Sequence, residues 1–258
     1  MISTLHSGLV SVTFRKLSVP EIVDLCVQTK LEGIEWGGDV HVPAGDIQRA
    51  KETRKLTLEN GLKVAAYGSY YRLGTQAAPF EPVLETAQAL GAPTIRVWAG
   101  TIDSQDANEL YWESVIYEGK QIADLAAAAG ISISYEFHPQ TLTNTAESTL
   151  QLLQMIQREN IYSYWQPAVG ADSEANLSAL SNLLPWLGNI HVFHWFPEYE
   201  RHPLSIGTKD WGKYLSILCA SQRDRFLMLE FVQNDSVESF LQDAQTLRSW
   251  LDASKNCP

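Results

Sequence analysis

Ile131-Ser-Ile-Ser-Tyr-Glu-Phe-His138 separates into two faces when every second residue is taken. Ile131, Ile133, Tyr135 and Phe137 make an apolar face, and Ser132, Ser134, Glu136 and His138 a polar one, which is the alternation of a β-strand. The apolar face suits a covering layer of helices. The polar face, ending in a carboxylate and an imidazole, suits the interior of a closed barrel with a working rim. Just upstream, the helical run Ile122-Ala-Asp-Leu-Ala-Ala-Ala-Ala129 stops at Gly130, where a left-handed residue ends a helix at no steric cost. Thr94-Ile-Arg-Val-Trp98 repeats the logic, with Ile95 and Val97 on one side and Arg96 and Trp98 on the other.

Outward from these segments, strand-like runs alternate with helical ones. The strand candidates are Leu9 to Phe14, Gly33 to Gly37, Val64 to Ser69, Thr94 to Ala99, Ile131 to His138, Ile161 to Gln166, Asn189 to Trp195 and Phe226 to Val232. Ser18-Val-Pro-Glu21 reads as a capping box, and Asp235-Ser-Val-Glu238 applies the same device before the last helix. Eight βα units in 258 residues, with no Pro- or Gly-rich linker, predict an α/β fold: one (β/α)₈ TIM barrel over residues 1–258.

Bulk composition narrows the function. With 45% hydrophobic and 19% charged residues the chain can bury a large core. A formal charge of −11 disfavours nucleic acid and acidic membrane surfaces. Cys26, Cys219 and Cys257 are too scattered for a disulfide framework or a zinc knuckle. No apolar run of membrane-spanning length occurs and the first residues lack the pattern of an export signal, so the expected location is the cytoplasm, without a membrane partner. Neither a GxxxxGK[ST] nor a GxGxxG pattern is present, and Gly68-Ser-Tyr-Tyr lacks the spacing of a nucleophile elbow.

In a (β/α)₈ barrel the chemistry sits at the C-terminal ends of the strands. There the second half of the chain offers Glu136 and His138 on strand five, Gln166 on strand six, His191 and His194 on strand seven, and Glu230 on strand eight. Two carboxylates, an imidazole and an amide oxygen suit Mn²⁺, Mg²⁺, Co²⁺ or Zn²⁺. The alternative is a set of satisfied polar residues in a large core, but paired buried carboxylates call for a shared cation or proton. His191 and His194 compete as ligand; strand phase turns His191 inward and leaves His194 at the strand end, to orient a ligand or touch substrate. Glu35, Trp36, His41, Tyr70, Arg72, Arg96, Trp98, His138 and Arg201 are, with His194, the candidates for binding a small polyhydroxylated substrate.

Taken in order, Gly33-Ile-Glu-Trp-Gly-Gly-Asp-Val-His-Val-Pro43, Tyr67-Gly-Ser-Tyr-Tyr-Arg-Leu-Gly74, Ile95-Arg-Val-Trp-Ala-Gly100, Tyr135-Glu-Phe-His138 and Asn189-Ile-His-Val-Phe-His-Trp195 resemble the xylose isomerase-like barrel superfamily, in particular its sugar phosphate isomerase/epimerase group, nearly end to end. The resemblance implies a divalent metal held by Glu, Asp, His and Glu on strands five to eight. The matching positions are Glu136, Gln166, His191 and Glu230, where Gln166 departs by lacking a charge. It further implies proton transfer by Glu136 and Glu230 through an enediolate, in an isomerase or epimerase of carbohydrate metabolism. Two other readings follow from the same site: a lyase like the inosose dehydratases, and a non-catalytic sugar-binding barrel that has lost productive metal binding through Gln166. An endonuclease IV-like activity fits poorly with six histidines and an acidic chain. A homo-oligomer is compatible with all of them.

Overall fold

A computed structural model describes residues 5–75, 78–221 and 223–254; Cys257 lies outside them. Eight parallel strands close in sequence order into a barrel: β1 Leu5–Val10, β2 Gly33–Gly37, β3 Lys63–Arg72, β4 Thr94–Trp98, β5 Ser132–Tyr135, β6 Ile161–Trp165, β7 Leu187–Val192 and β8 Arg225–Leu229. Closure is made by β1 against β8, with Leu5 opposite Arg225 and Leu9 opposite Leu229. Helices follow the strands: α1 Val19–Thr29, α2 Ile47–Glu59, α3 Glu81–Leu90, α4 Glu109–Ala128, α5 Ala146–Ile156, α6 Ser173–Leu183, α7 Thr208–Cys219 and α8 Val237–Ser254.

Local signals explain the helix limits. Ser18 and Glu21 form the expected capping box on α1. On α8 the Ser236 hydroxyl accepts from the Ser239 amide, so the cap lies one residue beyond the expected Asp235. Helix α4 closes at Ala129, with Gly130 left-handed at φ 71°. Among the described residues, no helix is long and apolar enough to cross a membrane, and no disulfide joins the buried Cys26 to Cys219.

The first strand is a correction. It occupies Leu5–Val10, and the expected strand residues Ser11–Phe14 form a 3₁₀ turn instead. The apolar alternation continues through both, but pairing with β8 ends at Leu9, and the turn's polar side chains take up other work. Ser11 Oγ accepts from the Gly37 amide, and Thr13 Oγ1 accepts from that of Phe231, which tie the mouths of β2 and β8 to β1.

Two apolar layers result. The larger lies between barrel and helices, where Trp165 meets Tyr214 edge-on at 5.1 Å. The smaller fills the barrel with Val10, Val12, Ala65, Ala66, Tyr164 and Met228. Gly8 is required in that interior, because a Cβ there would lie 2.9 Å from both the Gly33 carbonyl oxygen and Met228 Cγ. Gly8→Ala should therefore destabilise the fold by about 1–3 kcal/mol through overpacking, read as a lower midpoint in urea unfolding at unchanged slope.

Candidate metal centre

Three of the side chains at the barrel mouth belong to residues just past a strand. Glu136 follows β5, Gln166 follows β6 and Glu230 follows β8, while His191 is the penultimate residue of β7. The Glu136 amide still donates to the Val97 carbonyl and the Glu230 amide to that of Val192, so the ladder aims both side chains. His191 is fully buried and leans edge-on against Tyr164, ring centroids 5.1 Å apart.

Their polar atoms converge on one nitrogen. His191 Nδ1 lies 3.1 Å from Gln166 Oε1, 3.3 Å from Glu230 Oε2 and 3.8 Å from Glu136 Oε1. Ligand atoms about 2.1 Å from a shared ion sit roughly 3.0–3.4 Å apart in octahedral or tetrahedral arrangement. Two of the three separations fall in that range, and the third needs only a small closure. Glu136, His191 and Glu230 each offer one ligand atom within 4.8 Å of the others. The chemistry of these donors fits a divalent ion, with the Gln166 amide oxygen as a neutral fourth.

Behind His191 stands Glu35. Expected to touch substrate, it is instead fully buried, with Oε1 accepting from Arg96 Nε at 2.7 Å and lying 3.7 Å from His191 Nε2. A ligating histidine commonly gives its second ring N–H to a carboxylate, which fixes tautomer and ring orientation. His191 Nε2 has no hydrogen-bond partner, and a small approach to the Glu35 carboxylate would give it one. Arg96 spans the site: Nη1 donates to Glu136 Oε2, which also accepts from Trp98 Nε1.

The charges bias the protonation of these groups. Burial alone would raise Glu35, but Arg96 and then His191 outweigh it and bring the carboxyl down to about 2. Glu230 is likewise lowered against the effect of burial, by His191 and then Arg96. Burial alone would lower His191, yet Glu230 and Glu35 hold its imidazolium up at about 10. Three carboxylates facing one guanidinium and one imidazolium leave one negative charge uncompensated. Exchanging the imidazolium proton for a divalent cation leaves none, with Gln166 neutral.

Around this centre the rim is aromatic and cationic. Trp98 is sandwiched between the Arg72 guanidinium, 3.4 Å from the ring centroid, and the His138 ring, stacked at 4.8 Å. Tyr70 packs 6.0 Å from Trp98, and its hydroxyl accepts from Arg15 Nη2 at 3.0 Å. Arg15 also pairs with Asp39. Arg15 and Tyr164 are parts of the mouth that the candidate list omits. Tyr164 shares strand phase with Gln166, which is a usable signal; Arg15 lies in the loop after β1 with none.

Four expected site residues lie elsewhere. Trp36 is on the outer phase of β2, and its Nε1 donates to Thr57 of α2. His41 is buried with its two ring nitrogens against Ser11 Oγ and the Leu17 carbonyl. Arg201 pairs with Asp235 and covers the Trp195 and Phe231 rings. His194 faces His202 at 6.2 Å and borders a cavity of about 430 Å³ between the loops after β6 and β7; burial, then His202, lowers its pKa.

Known proteins share this architecture. The family model described as xylose isomerase-like TIM barrel matches residues 23–252. The chain is 27% identical over 203 residues to the 3-dehydroshikimate dehydratase of Bacillus anthracis, covering 71% of this chain and 70% of that one. Among solved structures, the probable 3-DHS dehydratase AsbF involved in petrobactin synthesis from Bacillus anthracis superposes with a TM-score of 0.79, at 20% identity, over 96% of this chain and 99% of that one. D-Psicose 3-epimerase from Clostridium cellulolyticum H10 superposes with a TM-score of 0.68, at 14% identity, over 96% and 95%. At those identities the superpositions speak to fold alone.

Two outcomes follow from the charge network. Arg96→Met leaves Glu35 and Glu136 buried without their shared cation and should cost about 3–5 kcal/mol, measured by denaturant unfolding. Because His191 binds its proton more tightly folded than unfolded, the chelated protein holds that stability in full below about pH 6.5 and loses it as pH rises through about 10. His191→Asn should flatten this slope in thermal unfolding scans.

Proposed function

The chain belongs to the xylose isomerase-like TIM barrel family, and we propose that within it this protein is a metal-dependent enzyme taking a proton from the carbon beside the carbonyl of a small polyhydroxylated substrate, then completing the reaction by loss of water. The observation that carries the reading is the convergence of Glu136, His191 and Glu230 within 4.8 Å at the barrel mouth. These residues and Gln166 would hold the ion. When bound, it supplies Lewis-acid polarisation of the carbonyl, making the neighbouring carbon acid stronger.

The two glutamates have unequal freedom. Glu136 Oε2 takes both Arg96 and Trp98, and its Oε1 turns toward His191. It is fixed as a ligand. Glu230 has one ion-pair contact among the described residues, with His191 Nδ1, and stays ionised at neutral pH. We assign it as the base. One basic carboxylate suffices for elimination: Glu230 takes the proton, the electron pair forms the carbon–carbon double bond, and the β-hydroxyl departs with the returned proton as water. Arg72 makes no ion pair among the described residues; it bonds only the Gly100 carbonyl at 3.3 Å beside its stack on Trp98. Its remaining N–H groups suit an anionic or hydroxyl group of the substrate. The 27% identity to a dehydratase supports the same choice.

An isomerase or epimerase is the second reading. It is favoured by the fact that Glu136 and Glu230 both turn an oxygen to the same His191 nitrogen, so that one could remove a proton and the other return it. Product analysis separates the two: elimination yields a compound lighter by one water with a conjugated double bond, whereas isomerisation conserves mass. In either case Glu230→Gln should lower kcat by about 10²–10⁴-fold with an unchanged circular dichroism spectrum, and chelation should abolish turnover until Mn²⁺ or another divalent ion is restored. Undiminished turnover in chelator would overturn the metal mechanism; sugar binding in chelator with no turnover under any metal would identify a non-catalytic barrel.

A further inference from the structure

At the end of the barrel opposite the metal centre, the first residues of several strands surround a cleft of about 560 Å³. Lys63 opens β3, Thr94 opens β4, Arg225 opens β8, and Ser134, Arg223 and Asp224 are among the other polar residues of the wall. The volume lies in the range of small-molecule sites. In a chain of net charge −11, this wall sets three cations against one carboxylate.

Arg225 is the anomaly. It is 3% exposed, and its Nε is buried with no hydrogen-bond partner. Its other donors reach only neutral oxygens: Nη1 the hydroxyl of Ser221, and Nη2 the Leu187 carbonyl at 3.4 Å. Among the described residues it forms no ion pair with a carboxylate, unlike Arg96. A buried guanidinium without a counter-charge is costly. Burial and then the neighbouring Arg223 pull the Arg225 pKa down to about 10, so this cation lies beside like charge. Arg223 itself lies over the Tyr162 ring, 5.1 Å from its centroid, at the floor of the barrel.

We propose that this cleft binds a phosphate dianion, free or esterified to a small molecule, with Arg225 and Arg223 as its charge partners. Two guanidiniums and the Lys63 ammonium line the cleft with a single carboxylate, Asp224, a composition that suits an anion of more than one charge. A guanidinium fork matches adjacent phosphate oxygens. The hydroxyls of Thr94 and Ser134, 2.9 Å apart in the same wall, bond one another, and Ser134 keeps a free O–H for the anion when Thr94 gives its proton to it rather than to the Ser132 carbonyl. The rival account makes Arg225 a plain staple between β7 and β8, indifferent to anions.

The test is thermal unfolding and titration calorimetry of the full chain, with chloride exchanged for inorganic phosphate or glycerol phosphate at constant ionic strength. The expected result is one site, a melting temperature that rises by several degrees with phosphate as the site fills, and loss of both effects in Arg223→Ala and Arg225→Gln. Arg223 is exposed, so its replacement should fold normally and leave turnover unchanged. Preference for glycerol phosphate over inorganic phosphate would assign the esterified form, and the reverse the free ion; both support the site. Absence of binding to the unsubstituted chain at millimolar phosphate overturns it. So does binding that survives in Arg223→Ala but vanishes in Arg72→Ala, which would place the anion at the catalytic mouth.

Discussion

A single guanidinium holds the mouth of the barrel together. Arg96 reaches from β4 to Glu35 on β2 and to Glu136 beyond β5, and all three side chains are removed from water. Each carboxylate alone would be expensive to bury, and so would the arginine. Because β3 separates β2 from β4 while β5 adjoins β4, the ion pairs span four consecutive strands and form only when their register is correct. The network fixes the donors at the metal centre: Glu136 directly, and His191 through the Glu35 carboxylate behind it.

Electrostatic balance links this network to chemistry. A proton on His191 and a divalent ion are alternative answers to the same excess of negative charge. Gln166 tunes that balance. A fourth anion would deepen the excess, whereas the amide lets one doubly charged ion close the account with nothing left over. At this position the chain departs from the aspartate that the resemblance implies: the amide is neutral and its side chain one methylene longer, with Oε1 3.1 Å from His191 Nδ1.

Much of this was legible because strands alternate strictly. The phase of Ile131 to His138 set Glu136 on the interior, and the same rule applied to Thr94–Trp98 set Arg96 there. Alternation also bears on Trp36: it adjoins inward Glu35, so it must face outward, where it meets Thr57. What the sequence does not carry is the position of one strand relative to another across the barrel. The approach of Glu35 to the back of His191 depends on strand tilt and stagger, which no local pattern encodes. His41 lies in a turn, where period-two reasoning has no purchase. At the first strand the apolar alternation outlasted the pairing, because Ser11–Phe14 found hydrogen bonds to the loops in place of a ladder.

The site residues that lie one position past a strand have another consequence. Up to Tyr135, Trp165 and Leu229 the backbone is committed to the sheet; after Glu136, Gln166 and Glu230 it enters loops of its own shape. These side chains are thus anchored by the scaffold, while the walls around them are carried by loops, which a fold of this kind lets differ in length at little cost to the barrel. Exchanging the loops after β3 and β7 would then reshape the mouth without moving Glu136, Gln166 or Glu230, which are held at the ends of other strands.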